Sequence, residues 1–383
     1  MTQHPWIGLP SAAIDTPALV VDLDAMERNL ARMQGFATAH GVRLRPHAKM
    51  HKSGALSLAQ MQTGAVGVCV QKTSEAQALA LAGVTNIYVS NQVISPSKCA
   101  QLATLCHGLA TDQGQLSLAV DSLLGIERMA QAMAAHGGAS VLDIFIEIDV
   151  GQARCGVVPG EPAEPLARAI AQHASLRFAG LQAYHGRAQH LRSPSSRHSA
   201  IAGVVADVQR TTAALEASGF SVPLVTGAGT GTFMHEASSG VYGELQAGSY
   251  LFMDADYAAN ELNPAQPQFE HALFVKSQVT SRSTTALDDR AVVDAGHKSH
   301  AIDSGLPTIW AGHQADWQFS NGGDEHGILR GNALPALGDI VWLIPGLCDP
   351  TVNLHNYMLG VRGGLVHGTV EQRIRVDARG ALT

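Results

Sequence analysis

The segment HAKMHK places His47, Lys49, His51 and Lys52 within six residues. A lysine that must add to a carbonyl works as the free amine, and neighbouring cations with partial burial lower its pKa toward that form. Arg45, His47 and Lys52 are the cations available to Lys49. Most lysines are solvated surface charges, so Lys49 gains meaning only from what faces it, and Lys52 is its rival within the segment. A second cluster is TGAGTGT (226–232), with AGSY (247–250) after it. Backbone N–H groups bared by glycine can converge on phosphate oxygens, and Thr and Ser hydroxyls add donors. Thr226, Gly227, Gly229, Thr230, Gly231, Gly248 and Ser249 are the residues able to do so, against the plainer reading that these glycines make tight turns. Arg154 in DVGQARCG is suited to an anionic ring oxygen, and YHGRAQH supplies Tyr184, His185 and His190.

Eight short apolar runs must position these groups: 42–46, 66–71, 86–91, 116–122, 143–149, 177–184, 222–227 and 244–250. Ala- and Leu-rich stretches with helical spacing separate them, such as SEAQALALAG (74–83) and PAEPLARAIAQHA (162–174). Strand–helix alternation repeated eight times predicts a closed parallel (β/α)8 TIM barrel. Each polar group above follows one of the runs, where such barrels carry chemistry, and the loops after the seventh and eighth strands commonly take a phosphate. After about residue 260 the texture changes. The runs 271–283, 290–296, 307–312, 339–346 and 357–370 lack long helices between them, and Gly363-Gly364 reads as a hairpin turn. The expected organisation is a barrel over 25–255 and a mostly antiparallel β domain over 256–383, with residues 1–24 packing on the latter and their strand lying outside the barrel.

Composition narrows the class. Of the 383 residues 46% are hydrophobic and 15% charged, enough for a large core. A net charge of −7 without a basic stripe argues against a nucleic-acid partner. No apolar run is long enough to span a bilayer, and MTQHPWIGLP has no basic segment followed by an apolar run, so neither membrane nor secretion is expected. Five scattered cysteines without CxxC spacing read as reduced thiols of a cytoplasmic protein.

The blocks RPHAKMHK, VCVQKTSEA, IEIDVGQARCG, LQAYHGRAQH, TGAGTGT, ELQAGSYLFMDADY, DEHG and CDPTVNLH together resemble the D-threonine aldolase group. That group lies in the fold-type III, alanine-racemase-like class of pyridoxal-phosphate enzymes and includes 3-hydroxy-D-aspartate aldolases and D-serine dehydratases. The resemblance runs from about Ile14 to Gly380. It implies pyridoxal 5'-phosphate on Lys49, Arg154 against the ring phenolate, and Tyr184 and His190 facing the substrate. By the same resemblance Thr226 to Gly231, with Gly248 and Ser249, hold the phosphate. The implied reaction is cleavage of D-3-hydroxy-amino acids to glycine and an aldehyde. His190 is the base for the β-hydroxyl, because an imidazole with a pKa of about 6.5 suits proton transfer at neutral pH. A homodimer is expected, since the β domain would cover the active site and support one.

One position departs from the group. Its metal block reads proline, small residue, His, any residue, Asp, Pro, Thr, whereas this chain reads Pro345-Gly346-Leu347-Cys348-Asp349-Pro350-Thr351. Leucine cannot coordinate an ion, so a single carboxylate, Asp349, remains for Mn2+ or Mg2+. His190, Asp324, His326, Cys348 and His355 are the groups that could compensate. Two other readings stay open: a metal-independent racemase or dehydratase acting on another D-amino acid, and a pyridoxal-phosphate-binding protein without turnover.

Overall fold

The computed structural model describes residues 6–285 and 288–383; the first five residues of the N-terminal segment lie outside the described residues. Eight parallel strands form one sheet: β2 (Arg43–Leu44), β3 (Val68–Val70), β4 (Asn86–Val89), β5 (Gln115–Val120), β6 (Leu142–Glu147), β7 (Leu176–Ala183), β8 (Val225–Gly227) and β9 (Glu244–Leu245). They pair in the order β2-β9-β8-β7-β6-β5-β4-β3. The two ends meet where Cys69 N–H donates to Pro46 O at 2.9 Å and a parallel bridge joins His47 to Cys69. That contact closes the TIM barrel, and every one of the eight apolar runs contributes a strand. The strands are nearly continuous in Val, Ile and Leu because helices cover their outer faces, as in Ile144, Ile146 and Leu181, all fully buried.

The barrel interior is filled rather than hollow. Cys69, Tyr88, Ala119 and Phe145 pack together near its centre. The polar side chains around them are internally satisfied. Arg45 donates to Glu244 at 3.0 Å and to Asn86 at 2.6 Å, and Tyr88 donates to Gln182 at 3.0 Å. Gln246 in turn reaches Gln182 and Thr226 at 2.7 and 2.8 Å.

The second sheet carries nine strands and is mostly antiparallel. The strand β1 (Ala18–Asp22) lies in it, antiparallel to β10 (Leu273–Thr285) and parallel to β16 (Tyr357–Arg362). Asp22 then caps the helix Leu23–Ala39, accepting Ala25 N–H at 3.0 Å. The sheet is completed by β11 (Asp288–Val293), β12 (Thr308–Ile309), β13 (Gln318–Asn321), β14 (Gly327–Arg330), β15 (Ile340–Ile344) and β17 (Thr369–Arg375).

Three local expectations change. The hairpin β13–β14 escapes the apolar pattern because β13 is almost wholly solvent-facing. The Gly363-Gly364 turn is real, both residues having φ +86, but the return strand starts only at Thr369. Leu365 is drawn into the core and Gly368 N–H closes back on Gly364 O at 2.9 Å, lengthening the loop. Finally, the eighth run stops being a strand at Leu245, and Ser249–Leu251 is a short 3-10 turn.

Candidate active site

A cavity of about 390 Å³ opens at the carboxyl ends of the barrel strands. Lys49, Arg154, Tyr184, His190, Gly229, Thr230, Gly248, Ser249, Leu347 and Asp349 line it together. Closure of the barrel brings the loop after β2 beside those after β8 and β9, and the β domain reaches in through the turn after β15.

Lys49 sits in the 3-10 turn Ala48–Met50, capped by His47, whose Nδ1 accepts the Lys49 N–H at 3.3 Å. Its ammonium lies 3.1 Å from the Asp349 carboxylate. The expected lowering of its pKa is therefore overturned. The Asp349 charge raises it, and outweighs both burial and the opposing Arg154 charge. The expected neighbouring cations are absent for separate reasons. Arg45 is neutralised by Glu244 inside the barrel. His47 is held neutral, its pKa pushed well down by burial and then by the Lys49 charge. Lys52 is buried in an ion pair with Glu75 at 3.1 Å and does not line the cavity, which removes it as a rival.

Across the cavity, Ala228 takes the left-handed conformation at φ +71, and the chain turns there so that Gly229 and Thr230 border the opening. Among the described residues the backbone N–H groups of Gly229, Thr230, Gly248 and Ser249 have no hydrogen-bond partner. A side chain at Gly248 would come within 2.6 Å of His47 O, so only glycine lets this loop approach the lysine turn. Thr226, Gly227 and Gly231 do not line the cavity. The Thr226 hydroxyl donates to Glu244 at 2.9 Å within the interior layer. Gly227 allows β8 to lie against the Ala183 carbonyl, and Gly231 N–H donates to Gln189 Oε1 at 3.0 Å.

On the cavity's other side His190 Nδ1 lies 2.5 Å from Asp256 Oδ2. Asp256 is 11% exposed and takes Arg192 on its second oxygen, also at 2.5 Å. An ionised carboxylate can only accept, so Nδ1 carries the proton shared with Asp256, and in the neutral imidazole Nε2 keeps its lone pair. Burial raises the pKa of the Tyr184 phenol. Sequence reasoning missed Asp256, Gln152, Gln182, Arg187, Gln246 and Tyr257. Gln182 and Gln246 stand two positions before Tyr184 and Gly248, the spacing that shares a strand face, and could have been found that way. Asp256 lies 66 residues from His190, and no spacing signals their pairing.

Residues 21–256 match the family described as alanine racemase, N-terminal domain, and residues 272–361 the putative serine dehydratase domain. The chain belongs to the alanine-racemase-like family. Within it, the chain is 41% identical to a 3-hydroxy-D-aspartate aldolase of Paracoccus denitrificans, over 97% of this chain and 94% of that one. It is likewise 41% identical to a D-threonine aldolase of an Arthrobacter species, over 97% and 95%. The crystal structure of D-threonine aldolase from Filomicrobium marinum superposes with a TM-score of 0.93 at 45% identity, covering 98% of this chain and 99% of that one.

Pyridoxal 5'-phosphate, which this family implies, fits the residues present. Four unpartnered amides and the Ser249 hydroxyl border the side where a phosphate would sit, and one lysine faces them. A divalent metal does not fit in the same way. Leu347 lines the cavity in the place of a ligand, and Asp349 is engaged by Lys49. The two are not on one extended segment as expected, because a helix starts at Cys348, yet both still face the cavity. His355 bonds the Ser299 carbonyl at 2.8 Å, Asp324 pairs with His297 at 2.9 Å, and Cys348 is buried against Met253 O. Among the described residues no three His, Cys, Asp or Glu side chains come together as ligands.

Proposed function

We propose that this protein cleaves D-3-hydroxy-amino acids between Cα and Cβ to glycine and an aldehyde, with pyridoxal 5'-phosphate held on Lys49. The observation that carries the reading is the shared cavity: one lysine, a set of backbone amides without a partner among the described residues, and His190 backed by Asp256. When bound, the cofactor supplies an electron sink for the pair released at Cα. The amides of Gly229, Thr230, Gly248 and Ser249 would hold its phosphate, and Arg154 and Tyr184 would meet its ring. His190 Nε2 accepts the β-hydroxyl proton, which allows the Cα–Cβ bond to break and the aldehyde to leave, and a proton taken up at Cα from solvent completes glycine. Asp256 orients the ring through Nδ1, and Arg192 holds Asp256 in place. No step is assigned to a metal.

The five cysteines are free thiols, four of them buried, which supports a reducing compartment such as the cytoplasm. No helix among the described residues is long and apolar enough to cross a membrane. We place the protein as a homodimer. Ile302, Leu306 and Leu354, exposed on segments beside the Asp349 helix, support that placement, and sedimentation tests it.

The deciding experiment combines borohydride reduction with a substrate panel. Reduction of the holoenzyme followed by peptide mapping should label Lys49, and D-threonine should yield glycine and acetaldehyde while L-threonine does not. A label elsewhere refutes the lysine. A 2-oxo acid in place of glycine makes the protein a dehydratase, and enantiomer exchange alone makes it a racemase.

A further inference from the structure

Among the charged groups that line the cavity, Arg187 stands apart. Lys49 is paired with Asp349 and His190 with Asp256, and Arg154 is the arginine given above to the cofactor ring. Arg187 is exposed, lines the same cavity, and among the described residues makes no hydrogen bond or ion pair. With Lys49 carrying the cofactor and Arg154 at its ring, Arg187 is the cationic side chain left among the described lining residues for the substrate. A guanidinium placed there favours a substrate that brings an anionic group to it.

Arg187 and His190 lie three residues apart on the 3-10 helix Gly186–His190. Side chains at i and i+3 of such a helix eclipse one another, so both leave the same face. The group beyond Cβ of a substrate whose β-hydroxyl meets His190 is therefore carried toward Arg187. A methyl or phenyl there leaves the guanidinium unmatched, whereas a carboxylate meets its planar fork of donors.

We propose that Arg187 makes this site selective for 3-hydroxy-D-amino acids whose side chain ends in a carboxylate. This rests on the function proposed above. The test compares kcat/KM for 3-hydroxy-D-aspartate and D-threonine in the wild-type holoenzyme and in Arg187→Ala and Arg187→Lys. In Arg187→Ala the acidic-to-neutral ratio should fall roughly 5-fold, the upper end for losing one member of a solvent-exposed charge pair. Arg187→Lys, which keeps the charge, should recover most of it. Losses of equal size on both substrates would reassign Arg187 to the α-carboxylate, and no loss on either would make it a bystander; both overturn the proposal. Binding of D-aspartate against D-alanine to the holoenzyme, by calorimetry, reads the same selectivity without turnover. If the wild type cleaves neither substrate, the proposed function fails, and the calorimetric ratio still decides Arg187.

Discussion

Replacing Asp256 by asparagine is the most informative perturbation of the proposed mechanism, because the expected defect is a single misplaced proton. Asp256 joins two partners with different demands. Arg192 presents only donors, from NH2 to Asp256 Oδ1 at 2.5 Å and from NH1 to the Asp256 carbonyl at 2.6 Å. His190 needs an acceptor opposite Nδ1, 2.5 Å away. A carboxylate satisfies both. In Asp256→Asn the one amide oxygen must face Arg192, since an NH2 there would meet another donor, so the NH2 falls toward His190 Nδ1. The imidazole then moves its proton to Nε2 and faces the substrate as a donor instead of a base. General-base assistance contributes about 10²–10⁴-fold, so kcat for D-threonine should fall about 10²–10³-fold with KM changed less than about threefold. Cofactor content after dialysis should stay at the wild-type level, since Asp256 does not line the cavity. Asp256→Asn in a His190→Ala background should add little, because residues acting as one unit are not additive. Glycine formation at saturating substrate is the assay. A kcat within about threefold of wild type, or losses that multiply in the double variant, would refute the reasoning.

Two further outcomes follow from other parts of the molecule. Leu347→His, which sets an imidazole beside Asp349 on the cavity wall, should tighten Mn2+ binding by at least about tenfold and make D-threonine cleavage respond to Mn2+ add-back after EDTA. A stoichiometric ion held at Asp349 in the untreated wild type would defeat that expectation. Burial pushes the Glu236 carboxyl up to about 7 from 4.5, so the folded protein retains a proton that the unfolded chain releases. Stability from this group is greatest below the unfolded value and declines as pH rises toward about 7, by up to roughly 3 kcal/mol. The melting temperature should accordingly fall between about pH 4.5 and 7, and Glu236→Gln should flatten the curve; parallel curves for the two proteins would remove Glu236 as the cause.

By itself the sequence determined the architecture and the cast of the site. Eight apolar runs separated by helical stretches admit few closed arrangements, because each strand must bury both faces and each crossover must return parallel. Groups just past those runs were placed at one end of the barrel by the same periodicity, which is why Lys49, Arg154, Tyr184, His190, Gly229, Thr230, Gly248 and Ser249 were all legible. Only the tertiary structure decided which way each group faces and what stands beside it. Thr226 and Gly231 belong to the same glycine-rich stretch as Gly229, yet one turns into the barrel and the other against Gln189. Asp349 reaches Lys49 from 300 residues away and reverses the direction in which that lysine's pKa moves. The polar network of Arg45, Glu244, Thr226 and Gln246 likewise forms only when the barrel closes. Sequence periodicity is local, whereas charge, burial and hydrogen bonding act between whichever groups the closed chain brings within a few ångströms.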